Sequence, residues 1–382
     1  MPGLLPLIDP DGLLEFSVVY TDRSLNHMSK RFQGVMRDIS RMLKEVYQAH
    51  RVALVPGSGT FGMESVARQF ATGKHVMVIR NGWFSYRWTQ ILDMGGIATS
   101  HSVLNARPLG PGRQMPWVPA PLQVVREAVA AERPAVVFAP HVETSAGMLL
   151  PDDYLRGVAD AVHAAGGLFV LDCIASGALW VDMQATGVDV LISAPQKGWS
   201  GSPCCAFVML SERARAAIDG TTSTSFSADL KKWLQIMETY EAGGHAYHTT
   251  LPTDALAATR DVMLESRAYG FERLRTAQWA LGTRVRALLA QHGLRSVAAE
   301  GFQAPGVVVS YTDDAGLHTG KAFAAVGVQS AAGVPLQCDE GADFKTFRLG
   351  LFGLDKLHDA AAATARLERA LQQVLGEARA AA

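Results

Sequence analysis

At 382 residues the chain exceeds the roughly 250–300 residues at which one hydrophobic core stops growing, so a large and a smaller domain are expected. Its 35 basic and 36 acidic residues leave a net charge of -1, which removes any general electrostatic ground for binding nucleic acid or an anionic membrane. No apolar run reaches the ~18 residues of a membrane span, since the best stretch, 166–181, contains Asp172, and Met1–Pro6 has no basic leader, so a cytoplasmic location is expected.

In chain order, the first strong signal is Phe32, Val35, Met36, Ile39, Met42, Leu43, Val46 and Tyr47, whose three- and four-residue steps predict an amphipathic helix within 26–50. Strands and helices then alternate. Strands are predicted at 51–55, 75–80, 99–104, 135–139, 168–172 and 188–193, and helices at 61–70, 84–94, 122–132 and 152–164. Continuous Val/Ile/Leu runs in this alternation argue for a mostly parallel sheet buried on both faces, hence an α/β fold. Segment 105–121, rich in Pro and Gly, reads as an irregular connection.

Beyond a further strand at 204–210 the pattern turns helical, with one or two long helices over 256–289. Strands at 307–312 and 346–351, a helix at 319–326 and a final helix containing Leu357, Leu367, Leu371 and Val374 complete a small α+β unit. The expected domains are 1–255, the larger, and 256–382, the smaller, which includes the bridging helix. Cys173, Cys204, Cys205 and Cys338 show neither metal-ligand spacing nor disulfide density and read as reduced thiols; Cys338, in a polar loop, is the one reactive candidate.

Three motifs follow strands. Gly57-Ser58-Gly59-Thr60-Phe61-Gly62 opens a helix and fits GxGxxG. A dinucleotide site would want an acid about 20 residues on, where this chain has Arg80-Asn81; the other reading is a phosphate held by the N–H groups of Gly59 and Thr60 at a helix N-terminus. Asn81-Gly82-Trp83-Phe84 offers an aromatic at the sheet rim, Phe84 or Trp83, able to stack on a flat ring, while Trp88 reads as core. His141-Val142-Glu143-Thr144-Ser145 places short hydroxyls at a strand end, where open α/β sheets collect ligands.

Two further residues select the chemistry. Asp172 ends one buried strand, and Lys197 follows the next, in Ser193-Ala194-Pro195-Gln196-Lys197. A lysine able to form a Schiff base, beside a carboxylate able to keep a pyridinium protonated, is what pyridoxal 5'-phosphate chemistry requires.

Together with Phe347-Arg348-Leu349-Gly350, these motifs resemble, in order from about Asp22 to the C-terminus, the class V aminotransferases, among them the alanine–glyoxylate and serine–pyruvate enzymes. The resemblance implies fold type I of the PLP-dependent transferases, a large seven-stranded-type sheet domain with a small C-terminal domain. It makes Lys197 the Schiff-base lysine and Asp172 the partner of the pyridine nitrogen. Gly59, Thr60 and Gln196 would hold the phosphate, Phe84 and Ile174 would flank the ring, and Ser145 would lie at its polar edge. Arg348 would pair with a substrate carboxylate. Tyr247 and Thr250, in a segment that in this family reaches the neighbouring subunit's phosphate, imply a homodimer with shared sites.

The implied reaction is a ping-pong transfer of the amino group of alanine or serine to glyoxylate or pyruvate. Met1–Pro6 departs from the Gly-Pro-rich element that lines the substrate pocket in relatives. Rival readings are a 2-aminoethylphosphonate transaminase, a cysteine desulfurase using Cys338, and an NADP-dependent oxidoreductase built on Gly57–Gly62 with Arg80.

Overall fold

The computed structural model describes residues 8–380. Helix α1 (Lys30–Tyr47) precedes the sheet; the Ser29 side chain caps it by accepting from the Phe32 N–H, and Gln48 ends it in a left-handed conformation. Its periodic face, Phe32 through Tyr47, is buried.

Seven strands form the main sheet: β1 (Arg51–Pro56), β2 (His75–Arg80), β3 (Ser100–Asn105), β4 (Val136–Pro140), β5 (Leu168–Asp172), β6 (Val190–Ser193) and β7 (Cys205–Leu210). Their order is β1-β7-β6-β5-β4-β2-β3, and only β7 runs antiparallel to its neighbours. Helices cover both faces, so the strands carry unbroken apolar runs, and β4, β6 and β7 are buried along their whole length. The helices include α2 (Gly59–Phe70), α3 (Trp83–Met94), α4 (Leu122–Glu132) and α5 (Asp152–Ala164).

This topology sets the site. Strands β1, β2, β4, β5 and β6 all point the same way, so the loops after them open at one edge, where Pro140, Asp172 and Ile192 lie side by side in register. Helix α2 starts three residues beyond Pro56, and α3 three residues beyond Arg80.

Helix α6 (Leu230–Glu241) packs against β1. Of the one or two helices expected over 256–289, there are two, α7 (Thr253–Tyr269) and α8 (Phe271–Gln291), because Gly270 adopts φ 105, outside the helical region. A second, antiparallel sheet orders β8 (Val307–Tyr311), β10 (Thr346–Gly350) and β9 (Ala331–Ala332), and helix α9 (Ala360–Ala380) packs on α8. The 105–121 connection contains a two-stranded pairing of Arg107–Pro108 with Trp117–Val118.

Candidate active site

A cavity of about 230 Å³ opens where these loops converge, and its lining includes Gly59, Thr60, Phe84, Asp172, Ile174, Gln196 and Lys197. Seven of the residues singled out from sequence thus share one space. Gly59 is required for this convergence: a Cβ there would collide with the Ile174 side chain.

Asp172 is 8% exposed. One carboxylate oxygen accepts from the Ile174 N–H at 2.9 Å, and burial pushes its pKa up to about 6, with Glu143 adding to the rise and Arg87 and Lys197 opposing it. Lys197 Nζ sits 5.4 Å from the Phe352 ring centre. Burial, followed by the nearby Arg348 cation, lowers its proton affinity, leaving the amine closer to its nucleophilic form.

Gln196 Oε1 is buried without a partner. Ser58 makes no side-chain cap on α2, whose ladder starts with Phe61 and Gly62 donating to the Ser58 carbonyl. The helix therefore presents an uncapped, electropositive end to the cavity.

Phe84, rather than Trp83, faces this space; Trp83 pairs with Tyr86 at 5.9 Å, and Trp88 is fully buried on Phe138, as its core reading anticipated. Arg348 lies close by, its guanidinium carbon 5.4 Å from the Phe84 ring centre and its Nε donating to the Ala332 carbonyl.

Ser145, Cys338 and Arg80 are placed differently from what their motifs suggested. Thr144 lines the cavity, whereas Ser145 is buried behind it; the Ser145 hydroxyl donates to Glu143 Oε1 (2.7 Å) and accepts from the Trp83 N–H (3.0 Å). Tyr247 and Thr250, expected at the neighbouring subunit's phosphate, do not line the cavity of their own chain; they bond to each other at 3.1 Å, with Tyr247 53% exposed. Cys338 is buried rather than presented on a polar loop, because Glu340 accepts from the N–H groups of Leu336, Gln337 and Cys338 and turns the thiol inward. Burial pushes that thiol up to about 12, the opposite of an activated sulfur acceptor. Arg80 is committed to the Gln337 carbonyl and Thr89 hydroxyl and does not reach the glycine loop. Met1–Pro6 lies outside the described residues.

Two residues at the site were given no role by the sequence, Glu143 inside the His141–Ser145 motif and Arg87 just past Asn81–Phe84. Glu143, fully buried, meets five donors within 3.2 Å: the N–H groups of Phe84, Ser85 and Ser145 and the Ser85 and Ser145 hydroxyls. It clamps the start of α3 to the strand end. Arg87 lines the cavity and donates from Nη1 to Thr60 Oγ1 at 3.0 Å; its three-residue spacing from Phe84 was the signal that puts both on one helix face.

Comparison with known proteins places this geometry in a class. No protein-family model matches the chain. In structure it is similar to an aspartate aminotransferase from Thermus thermophilus (TM-score 0.74, 25% identity, covering 92% of this chain and 94% of that one) and to an alanine–glyoxylate aminotransferase from Nostoc sp. (TM-score 0.74, 22% identity, 91% and 88%). The fold is therefore type I of the PLP-dependent transferases. In sequence the chain is 30% identical over 358 residues to a 2-aminoethylphosphonate–pyruvate transaminase of Paraburkholderia phymatum, covering 90% of this chain and 89% of that protein. It is 27% identical over 256 residues to the rat alanine–glyoxylate aminotransferase, 65% of this chain and 58% of that protein. It is also 27% identical over 311 residues to a Synechococcus protein named soluble hydrogenase, small subunit, 80% and 76%. The chain belongs to the class V aminotransferase family.

That membership makes pyridoxal 5'-phosphate the cofactor, and the residues present fit it. A buried carboxylate with one oxygen free of protein donors suits a ring N–H, the orphaned Gln196 oxygen and uncapped α2 suit the phosphate region, and the Gly59 cradle leaves room between Phe84 and Ile174.

Proposed function

We propose that the protein transfers the amino group of a small amino acid, alanine or serine, to a 2-oxo acid such as glyoxylate or pyruvate. The observation carrying this reading is that Lys197, Asp172 and the N-terminus of α2 open on one cavity with Arg348 at its margin. When bound, pyridoxal 5'-phosphate supplies an aldehyde that condenses with amines and a ring that accepts an electron pair. Asp172 holds a proton on the ring nitrogen. Lys197 would anchor the coenzyme, and its free amine would take the proton from the substrate α-carbon and later return one. Phe84 and Ile174 fix the ring plane, and Gly59, Thr60 and Gln196 hold the phosphate. Arg348 offers the planar fork of a carboxylate-binding arginine.

In this reading Thr144, which lines the cavity, takes the place expected of Ser145 at the ring's polar edge, while the Ser145 hydroxyl steadies α3. Tyr247 and Thr250 contribute from a second copy of the chain. Their exposure supports a homodimer, as do the exposed apolar side chains of Leu13, Phe16, Val18 and Phe226.

A second reading, transfer from 2-aminoethylphosphonate, is favoured by the length of the match to the Paraburkholderia enzyme. Single-turnover assays decide: L-alanine, L-serine and 2-aminoethylphosphonate are each added to the loaded enzyme and loss of its visible absorbance is followed. The proposal predicts conversion by alanine or serine. Conversion by 2-aminoethylphosphonate alone contradicts it.

A further inference from the structure

We propose that Arg87 is a phosphate-binding residue of this site, an ionic grip added to the backbone and hydroxyl donors of the α2 N-terminus. The inference rests on the coenzyme reading above and extends it to a residue that no motif marks. Arg87 sits one helical turn after Phe84, and its Nη1 donates to Thr60 Oγ1 at 3.0 Å, in the first turn of α2. That bond ties the guanidinium to the end of the cavity where an anion would meet the helix.

The electrostatics favour such an anion. A helix N-terminus carries about half a positive charge, and placing a guanidinium beside it sets like charges together. Among the described residues Arg87 forms no ion pair; it bonds the Thr60 hydroxyl and lies over the Phe84 ring, 5.3 Å from the guanidinium carbon, and its charge is felt by both Asp172 and Lys197 without pairing to either. A guanidinium has five N–H donors, and one of them is used here. A doubly charged phosphate would offset both positive charges and take up the free donors. Arg348, on the same Phe84 ring at 5.4 Å, is tied to the second sheet through Ala332 and stays available to substrate.

Paired titrations of apoprotein with pyridoxal 5'-phosphate and with pyridoxal, the same ring lacking the phosphate, test this in wild type, Arg87→Met and Arg87→Lys. Arg87→Met is expected to weaken pyridoxal 5'-phosphate binding about 10- to 100-fold, the scale of a lost charge-assisted hydrogen bond, while pyridoxal changes less than about twofold. Arg87→Lys keeps the charge and loses the fork; it is expected to show a smaller loss, again for the phosphorylated compound alone, and it supplies the comparison should the Met variant not fold. Equal weakening of both compounds would make Arg87 a support for the Phe84 ring and overturn the proposal, as would no weakening of either. Wild-type protein that binds neither compound sinks the coenzyme reading itself, an outcome distinct from the two before it.

Discussion

Asp172 holds its proton to a higher pH than a surface aspartate because burial disfavours the charge and Glu143 lies close, shifting it from 3.8 to about 6. Between those values the native apoprotein binds more protons here than the unfolded chain does, so the contribution to stability is full below pH 3.8 and is lost as pH rises through 6. The apoprotein of Asp172→Asn lacks this titration. The stability difference between wild type and Asp172→Asn, measured by urea unfolding, is therefore expected to fall by on the order of 3 kcal/mol from pH 4 to pH 7. A difference that stays constant would show that the carboxylate is not desolvated. Gly59 gives a second residue-scale expectation: Gly59→Val should abolish coenzyme uptake, read by absorbance, since even one added carbon meets Ile174. Uptake equal to wild type would contradict the packing described.

Helix α3 is the element on which the site turns, since it brings Phe84 and Arg87 to the cavity and starts at the Glu143 carboxylate. Glu143→Ala would leave several buried donors without an acceptor, and thermal or urea unfolding should show a loss of about 3 kcal/mol or more. A loss below about 1 kcal/mol would mean that water replaces the carboxylate. The sequence marked the positions of Glu143, in the His141–Ser145 motif, and of Arg87, three residues past Phe84, but not their roles, because each matters through a partner on another strand-end loop. What could be read was periodic or positional: α4, α5 and β5 have the bounds their apolar spacing predicted, and Asp172 and Lys197 stand out as ionisable residues at the ends of apolar strands. Periodicity failed at Gly320 (φ 77), inside the predicted 319–326 helix, and left open whether 256–289 was one helix or two, which Gly270 (φ 105) decides. Ser145 and Thr144 could not be told apart in sequence, since adjacent residues face opposite sides and only the contacts with Glu143 decide which is buried.

At the scale of the whole molecule, one chain brings Gly59, Thr60, Phe84, Asp172, Ile174, Gln196 and Lys197 to one cavity, while Tyr247 and Thr250 do not line it and Tyr247 is exposed. Light scattering is expected to give the mass of two chains, and Phe16→Asp combined with Phe226→Asp should shift it towards one. A wild-type monomer with full activity would remove the shared-site proposal. The division at residues 255 and 256 remains a proposal too; it falls inside α7, so limited proteolysis is expected to cut outside that helix.

The most direct test of the account is borohydride reduction of the protein loaded with pyridoxal 5'-phosphate, followed by peptide mass mapping. The pyridoxyl mass is expected on Lys197, and on no other lysine in stoichiometric amount. Stoichiometric labelling elsewhere, or none, would contradict the site described.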